Sequence, residues 1–282
     1  MRFCTFAADG RIHVGVVEPE TNRVVPLDVP DMLTLIRRPD ALTLASTALA
    51  GGGARFPLSE VRLLAPIPRP AKNIYCVGLN YAAHSDEFTG GTKPPPAAPI
   101  IFSKTPGTVI GPGEAIDSHP DLTREVDYEA ELAVVIGRTG RNIRKEEARA
   151  YIFGYTIIND VTARDLQRKH QQWLIGKSLD TFCPMGPFLV HRDEIPWPVA
   201  LNISSRVNGE LRQNSNTRHL IFDIPTLIET LSAGHTLEAG DIIATGTCEG
   251  VGMGFNPPRF LKPGDLVEVA IEGIGLLANT VR

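Results

Sequence analysis

The chain has few cysteines and no block of basic residues, and each shortage excludes a class of protein. Its cysteines are Cys4, Cys76, Cys183 and Cys248, and none of their spacings matches a zinc finger. This distribution predicts free thiols in a reducing compartment. With 28 Lys and Arg against 32 Asp and Glu, the formal net charge is -4, and no basic stretch predicts binding to nucleic acid or to an anionic membrane.

Long apolar runs are also missing. No stretch approaches the length that spans a bilayer, and the first residues lack the charged start and apolar centre of a secretory signal. We therefore expect a cytoplasmic, soluble protein. By contrast, the sequence contains 26 Gly and 23 Pro, which favours many short strands and tight turns over long helices.

The 282 residues allow one large domain or one domain with a small appendage. Residues 1–70 are weakly patterned, with a helix predicted from Asp31 to Arg37, and they end in a proline-rich stretch that is typical of a linker. We predict a small N-terminal domain at 1–70, without catalytic residues, and a catalytic domain at 71–282.

An acidic segment that becomes apolar, residues 125–137, predicts one strand with a buried second half. Because strand side chains alternate, Glu129 and Glu131 project to the same side, with Asp127 just before them. Carboxylates this close repel each other unless water or a hard cation such as Mg2+, Mn2+ or Ca2+ relieves the repulsion. Asp160 ends another apolar strand and is a third candidate ligand. The alternatives are solvated acids on an edge strand and, for Asp160, a helix cap.

Two further segments carry side chains suited to proton transfer. His84 and Glu87 lie three residues apart on a predicted short helix, so the carboxylate can orient the imidazole. Residues 89–96, rich in Gly and Pro, predict the hinge and far end of a mobile lid. Lys177 lies in a turn-like context from which it can point into a cleft. The alternative for all three side chains is a solvated surface position.

Five blocks in order resemble the fumarylacetoacetate hydrolase superfamily: GLNYAAHSDE, DYEAELAVVIG, NDVTARDLQ, QWLIGKSLDTFCPMGP and TGTCEGVG. The resemblance implies a mixed α+β, mainly β protein with a mixed β-roll catalytic domain, usually a homodimer. It also implies Mg2+ or Mn2+, with Ca2+ as a substitute. The residues that it assigns are the metal ligands Glu129, Glu131 and Asp160, the lid dyad His84 and Glu87, the active-site Lys177, and Gly246 and Thr247 beside the substrate. Cys248 departs from the pattern, because many relatives have proline there.

The chemistry of such a site predicts a divalent-metal-dependent hydrolase. It would cleave a carbon-carbon bond in an acylpyruvate or 2,4-diketo acid, such as fumarylpyruvate or fumarylacetoacetate, through an enolate that the cation stabilises. His84, oriented by Glu87, would activate water, and Lys177 would neutralise developing charge. The alternative is an oxaloacetate decarboxylase or a keto-enol tautomerase or isomerase with the same centre. A third reading is a metal-stabilised binding protein without catalysis, against which the retention of both His84 and Glu87 argues.

Overall fold

A computed structural model describes residues 1–18, 20–89, 92 and 94–282. The predicted lid segment therefore lies partly outside the described residues, at positions 90, 91 and 93. Within the described part of the chain, no helix has the length and apolar character needed to cross a membrane. The four cysteines are free, as the sequence predicted, and the structure buries all four.

Strands dominate the structure, and the helices are short. The strands are β1 (Arg2–Ala8), β2 (Arg11–Glu18), β3 (Arg23–Leu27), β4 (Phe56–Pro57), β5 (Arg62–Leu64), β6 (Ile74–Gly78), β7 (Ile100–Lys104), β8 (Val109–Ile110), β9 (Val126–Asp127), β10 (Ala130–Ile136), β11 (Ile152–Asn159), β12 (Thr162–Ala163), β13 (Cys183–His191), β14 (Asn202–Val207), β15 (Glu210–Asn216), β16 (Ile242–Thr247), β17 (Leu266–Ile271) and β18 (Gly275–Thr280). The helices are α1 (Met32–Arg37), α2 (Ala41–Ala50), α3 (Ala82–Thr89), α4 (Ala148–Tyr151), α5 (Arg164–Lys169), α6 (Leu174–Lys177) and α7 (Ile224–Ser232). The mixed, mainly β fold class is thus confirmed.

The main sheet runs through both sections of the chain. Its described strands follow the order β4, β3, β2, β1, β13, β11, β10, β16, β6, β7, with β5 on β1 and β8 on β13. A pair formed by β9 and β12 and a sheet in the order β15, β14, β17, β18 complete the β structure. The two central strands β10 and β11 are buried along their whole length, as continuous apolar runs require. Strand β1 pairs antiparallel with β13, so the N-terminal section extends this sheet.

One predicted strand is interrupted. The segment 125–137 is not a single strand, because β9 ends at Asp127 and β10 begins at Ala130. The backbone N–H of Tyr128 donates to Asp127 Oδ1 at 2.9 Å, and that of Glu129 donates to Asn159 Oδ1 at 3.0 Å. Because side chains accept these two donors, the ladder is broken at this point.

The chain has only short turns of helix directly before strand β11. A 3-10 turn at Lys145–Glu147 leads into the single-turn helix α4, and β11 already begins at Ile152. The helix at Asp31 to Arg37 is confirmed as α1. Asp31 is its N-cap and accepts from the backbone N–H of Thr34 at 2.6 Å.

Candidate active site

Three carboxylates meet where β10 begins and β11 ends. The two strands are antiparallel, with Ala130 opposite Asn159, so Glu129 and Glu131 at the start of β10 face Asp160 just after β11. One oxygen from each carboxylate lies within 4.8 Å of the others. All three residues are buried, which removes the solvated edge strand as an explanation. The structure thus brings together the three predicted metal ligands.

Two buried lysines neutralise part of this charge. Lys177 Nζ donates to Glu129 Oε2 at 2.7 Å and to Asp160 Oδ2 at 2.8 Å. The sequence suggested a turn at Lys177, but the structure makes this residue the last one of α6. Lys104, at the end of β7, donates to Asp160 Oδ1 at 2.7 Å and to the carbonyl of Lys177. Sequence reasoning did not single out Lys104, and its only signal was a cation at the end of an apolar strand.

The carboxylates have unequal electrostatic surroundings. Burial raises the pKa of Glu129, but the charges of Lys177 and Arg164 more than offset it and lower that pKa to about 2. Burial also opposes the charge of Lys177, yet Asp160 and Glu129 raise the pKa of this ammonium. For Glu131, burial and the nearby charges of Asp160 and Glu129 raise the pKa well above its usual value. Counted as ions, the carboxylates therefore carry an excess of negative charge, and Glu131 is the carboxylate whose charge is compensated least, so it favours the protonated form.

This excess fits a hard divalent cation. Glu131 Oε2 accepts from the backbone N–H of Gly246 at 2.8 Å, while its Oε1 accepts no hydrogen bond from any residue in the described part of the chain. Arg164 also pairs with Glu129 and with Asp127. With Asp127 included, four carboxylates face the cations of Lys104, Lys177 and Arg164, so one negative charge is left to balance. Oxygen donors of this kind are those that Mg2+, Mn2+ and Ca2+ prefer.

The predicted dyad forms beside this cluster. His84 and Glu87 lie on α3, and His84 Nδ1 is 2.9 Å from Glu87 Oε2. Glu87 Oε1 accepts from the backbone N–H of Gly250 at 2.6 Å, and Tyr128 Oη donates to the carbonyl of Gly250 at 2.9 Å. With the proton on Nδ1 directed to Glu87, the neutral imidazole carries its lone pair on Nε2. The dyad is therefore built to exchange a proton at His84 Nε2.

Asp127 does not join the carboxylate triad. Its Oδ2 accepts from Arg164 Nε at 2.9 Å, and its Oδ1 accepts from the backbone N–H of Gly252 at 2.6 Å. Arg164 Nη2 also lies 2.7 Å from Glu129 Oε1. Although burial opposes its charge, Glu129 and Asp127 raise the pKa of Arg164. Asp127 thus fixes the glycine-rich loop of residues 250–254, and Arg164 fixes Glu129. Their positions in the sequence do not reveal these roles.

Of the two residues predicted beside the substrate, only one lines the cavity. Gly246 is not among the lining residues; its backbone N–H donates to Glu131 Oε2. Its φ is 103°, a conformation that favours glycine. Thr247 lines the cavity. Its hydroxyl donates to the carbonyl of Ala130 at 2.9 Å and accepts from Gln213 Nε2 at 2.7 Å. Gln213 Nε2 also donates to the carbonyl of Cys248 at 2.8 Å, so a buried amide fixes the position of this loop.

The site opens into a cavity of about 380 Å³. Glu129, Glu131 and Lys177 line its floor together with His84. Helix α5 supplies Arg164, Gln167 and Arg168, which share one helix face because they are three and four residues apart. Arg168 is half-exposed at the mouth, where its Nη2 lies 2.6 and 2.8 Å from the two carboxylate oxygens of Glu125. Phe102 and Trp173 supply aromatic walls.

Comparisons with known proteins agree with this architecture. Residues 73–282 match the family described as "Fumarylacetoacetate (FAA) hydrolase C-terminal", and residues 1–66 match "Rv2993c-like, N-terminal". The chain is 56% identical over 230 residues to the "Oxaloacetate tautomerase YisK" of Bacillus subtilis, covering 82% of this chain and 76% of that protein.

Two solved structures share the fold along the whole chain. The fumarylacetoacetate hydrolase of Exiguobacterium antarcticum has a TM-score of 0.89 and 43% identity, covering 100% of this chain and 99% of that one. A maleylpyruvate hydrolase from Sphingobium sp. SYK-6, solved with manganese(II) and pyruvate, has a TM-score of 0.80 and 33% identity. That match covers 100% of this chain and 98% of the other.

Proposed function

The chain belongs to the fumarylacetoacetate hydrolase family, and we propose that within it this protein is an oxaloacetate keto-enol tautomerase. The observation that carries the proposal is one cavity in which the dyad His84 and Glu87 faces a cation-holding floor, with Arg168 at the mouth. The 56% identity to a protein described as an oxaloacetate tautomerase supports the same reaction. We also propose a domain division at residue 70 and a homodimer. The family resemblance is the reason for both.

Glu129, Glu131 and Asp160 would hold the cation, which we propose to be Mg2+ or Mn2+. The manganese in a family member of 33% identity supports this choice. When bound, such an ion supplies a Lewis acid that withdraws electrons from the 2-oxo group of the substrate.

The proton transfer itself falls to side chains of the chain. His84 Nε2 takes a proton from C3 of oxaloacetate, and Glu87 stabilises the resulting imidazolium through the 2.9 Å contact to Nδ1. The same nitrogen then returns the proton to the oxygen on C2, which completes the keto to enol conversion. Two N–H groups of Lys177 are held by Glu129 and Asp160, so the third is left to donate to the developing oxyanion.

The two ends of a dicarboxylate meet different charges. At the floor, Lys177 and the carboxylates that would hold the cation face the 2-oxo acid end. At the mouth, Arg168 can turn from Glu125 to the distal carboxylate, because its side chain is 55% exposed. Gln167 Oε1 accepts from Arg164 Nη1 at 3.2 Å, which leaves the amide NH2 of Gln167 as a further donor to the substrate.

Substrate chemistry separates the three reactions that the centre supports. Hydrolysis, the main expectation from the sequence, requires a second carbonyl that water can attack, and oxaloacetate has none beyond its carboxylates. Decarboxylation removes the distal carboxylate as carbon dioxide. A cation such as Arg168 stabilises the negative charge of that carboxylate and so opposes its loss. Tautomerisation needs only the proton exchange that His84 provides. The relative's description and the charge at the mouth therefore favour the alternative that the sequence left open.

The test is an ultraviolet assay of enol oxaloacetate with Mg2+ or Mn2+, with pyruvate measured in the same samples. We expect metal-dependent equilibration of enol and keto forms without matching release of pyruvate. His84→Gln should lower the rate about 10²- to 10⁴-fold, the usual contribution of a general acid-base group. Asp86→Asn, a change at an exposed position of the same helix, should leave it unchanged. Pyruvate release as fast as enol loss would replace the tautomerase with a decarboxylase, and turnover confined to acylpyruvates would restore the hydrolase.

A further inference from the structure

A second cavity, of about 520 Å³, lies between the region of helices α1 and α2 and one end of strands β10, β11 and β13. We call it the arginine cleft. Its walls come from the end of α1 and the residues after it, and from segments 137–139, 150–153 and 191–192. Four arginines line it: Arg37, Arg38, Arg138 and Arg192. Among the described residues that line the cleft there is no Asp or Glu. The acids that pair with Arg38 and Arg192 are Asp40 and Asp193, which lie outside the lining.

Three of the arginines are anchored in ways that leave guanidinium N–H groups available. Arg37 Nε donates to the carbonyl of Ala239 at 3.3 Å, and Arg138 lies over the ring of Tyr151 at 5.0 Å. Arg192 Nη1 donates to the carbonyls of residues 150 and 152 at 3.1 and 2.6 Å. Carbonyls and an aromatic face orient these side chains without neutralising them, and Arg192 additionally lies 3.8 Å from the exposed carboxylate of Asp193. Arg38 differs, because it forms a two-pronged pair with Asp40.

His191 provides a buried donor in the same cleft. The residue is 6% exposed, and its Nδ1 accepts from the backbone N–H of Asp193 at 3.3 Å. Asp193 Oδ2 lies 3.4 Å from the same nitrogen, and burial lowers the pKa of His191, which favours the neutral imidazole. Within the described part of the chain, no hydrogen bond engages Nε2. When Nε2 carries the proton of the neutral ring, it can therefore donate to an anion held by the neighbouring arginines.

We propose that the arginine cleft binds a small polyanion that carries two or more carboxylate or phosphate groups. Arg37, Arg138 and Arg192 pair with its charges, and His191 Nε2 donates to one of its oxygens. Guanidinium groups bind either kind of anion through paired N–H groups, and the volume lies within the usual range for metabolite sites. The nearby acids Asp40 and Asp193 are exposed at the rim.

The cleft is separate from the active site, although the same strands reach both. Strand β11 begins with Ile152 at the cleft, and Asp160 follows its other end. Eight residues of extended chain span roughly 25 Å. Strand β10 likewise runs from Glu131 to the cleft residue Gly137. A polyanion in the cleft therefore does not compete with the substrate, and the proposal does not depend on the reaction proposed above.

The test is calorimetric titration of the full chain with inorganic pyrophosphate and, separately, with citrate, in buffer without added divalent metal because both probes chelate it. Wild type should bind at least one probe with one-to-one stoichiometry. The double variant Arg37→Gln, Arg138→Gln should weaken that binding at least tenfold. The control combines Arg23→Gln with Arg206→Gln, two exposed arginines away from the cleft, and should bind as wild type does. Binding of pyrophosphate alone would identify a phosphate ligand, and binding of citrate alone a polycarboxylate.

Two results would overturn the proposal in this experiment: no binding of either probe, or equal weakening in the test and control variants. Hydrogen exchange locates the probe independently. Bound probe should slow exchange in segments 36–42 and 191–193 and leave 160–177 unchanged. Protection confined to 160–177 would place the probe in the active site and would also contradict the proposal.

Discussion

Gly254→Ala should disable the dyad without touching the metal ligands. Gly254 ends a 3-10 turn, and its backbone does not have the positive φ that would exclude alanine. A Cβ at this position would lie 2.6 Å from Glu87 Oε1 and 2.8 Å from Glu87 Cδ. Because ordinary contacts begin at about 3.4 Å, the carboxylate has to move by roughly 0.8 Å.

The cost of that movement falls on two hydrogen bonds of Glu87. Its carboxylate contacts His84 Nδ1 at 2.9 Å and the backbone N–H of Gly250 at 2.6 Å. Hydrogen bonds to charged groups contribute about 1.5–3 kcal/mol each, and a displacement of about 1 Å in a catalytic group lowers rates up to about 10²-fold. We therefore expect kcat/KM for tautomerisation to fall about 10- to 100-fold, equivalent to about 1.4–2.7 kcal/mol.

The assay compares wild type, Gly254→Ala and the control Gly52→Ala, whose Cβ meets nothing within 4 Å. Rates of enol and keto equilibration, Mg2+ affinity and the unfolding midpoint are measured for each. The affinity and the midpoint should stay near wild type in both variants, since Gly254 contacts none of the triad carboxylates. Full activity of Gly254→Ala, or a loss of activity matched by a loss of metal affinity, would refute the reasoning.

Three further predictions concern the carboxylates and the cations around them. Burial and the charges of its neighbours raise the pKa of Glu131, so a cation that binds there has to displace a proton. The affinity for Mg2+, measured by titration, should therefore increase with pH. Glu131→Gln should weaken Mg2+ binding more than about tenfold and remove that pH dependence. Arg168→Gln should raise KM for oxaloacetate about tenfold in steady-state assays and leave KM for a monocarboxylic 2-oxo acid unchanged. Lys104→Met should lower the free energy of unfolding in urea by about 3–5 kcal/mol, because it leaves Asp160 buried without this partner, whereas Lys262→Met at an exposed position should cost less than about 1 kcal/mol. A flat pH profile in wild type, equal KM changes for both acids, or equal stability of the two lysine variants would contradict these expectations in turn.

Local pattern was enough to predict the residues that the structure brings together. Glu129 and Glu131 are two residues apart at the start of an apolar run, and Asp160 ends another, so alternation and strand ends indicated a shared edge. His84 and Glu87 are three residues apart on a helix, which brings their side chains together within a single turn. The pairings of Glu129 with Glu131 and of His84 with Glu87 depend only on neighbours in the sequence, whereas the family resemblance was needed to assign Asp160 to the same site.

Contacts between distant segments could not be predicted in the same way. Lys104 reaches Asp160 across 56 positions, and Arg164 reaches Asp127 across 37. Periodicity shows which face of a strand is buried but not which strand lies beside it. The break at residues 128 and 129 has the same origin, since Asn159 from the neighbouring strand accepts the N–H of Glu129. Strand β1 joins the main sheet through β13, a pairing that no local pattern indicates.

The most direct test of the account follows deuterium from solvent into C3 of oxaloacetate by NMR, with Mg2+ and against a protein-free sample. We expect exchange that is accelerated only when protein and metal are both present, that is reduced about 10²- to 10⁴-fold in His84→Gln, and that is retained in Asp86→Asn. Exchange at the protein-free rate in wild type, or full acceleration in His84→Gln, would contradict the claim that this dyad transfers the proton.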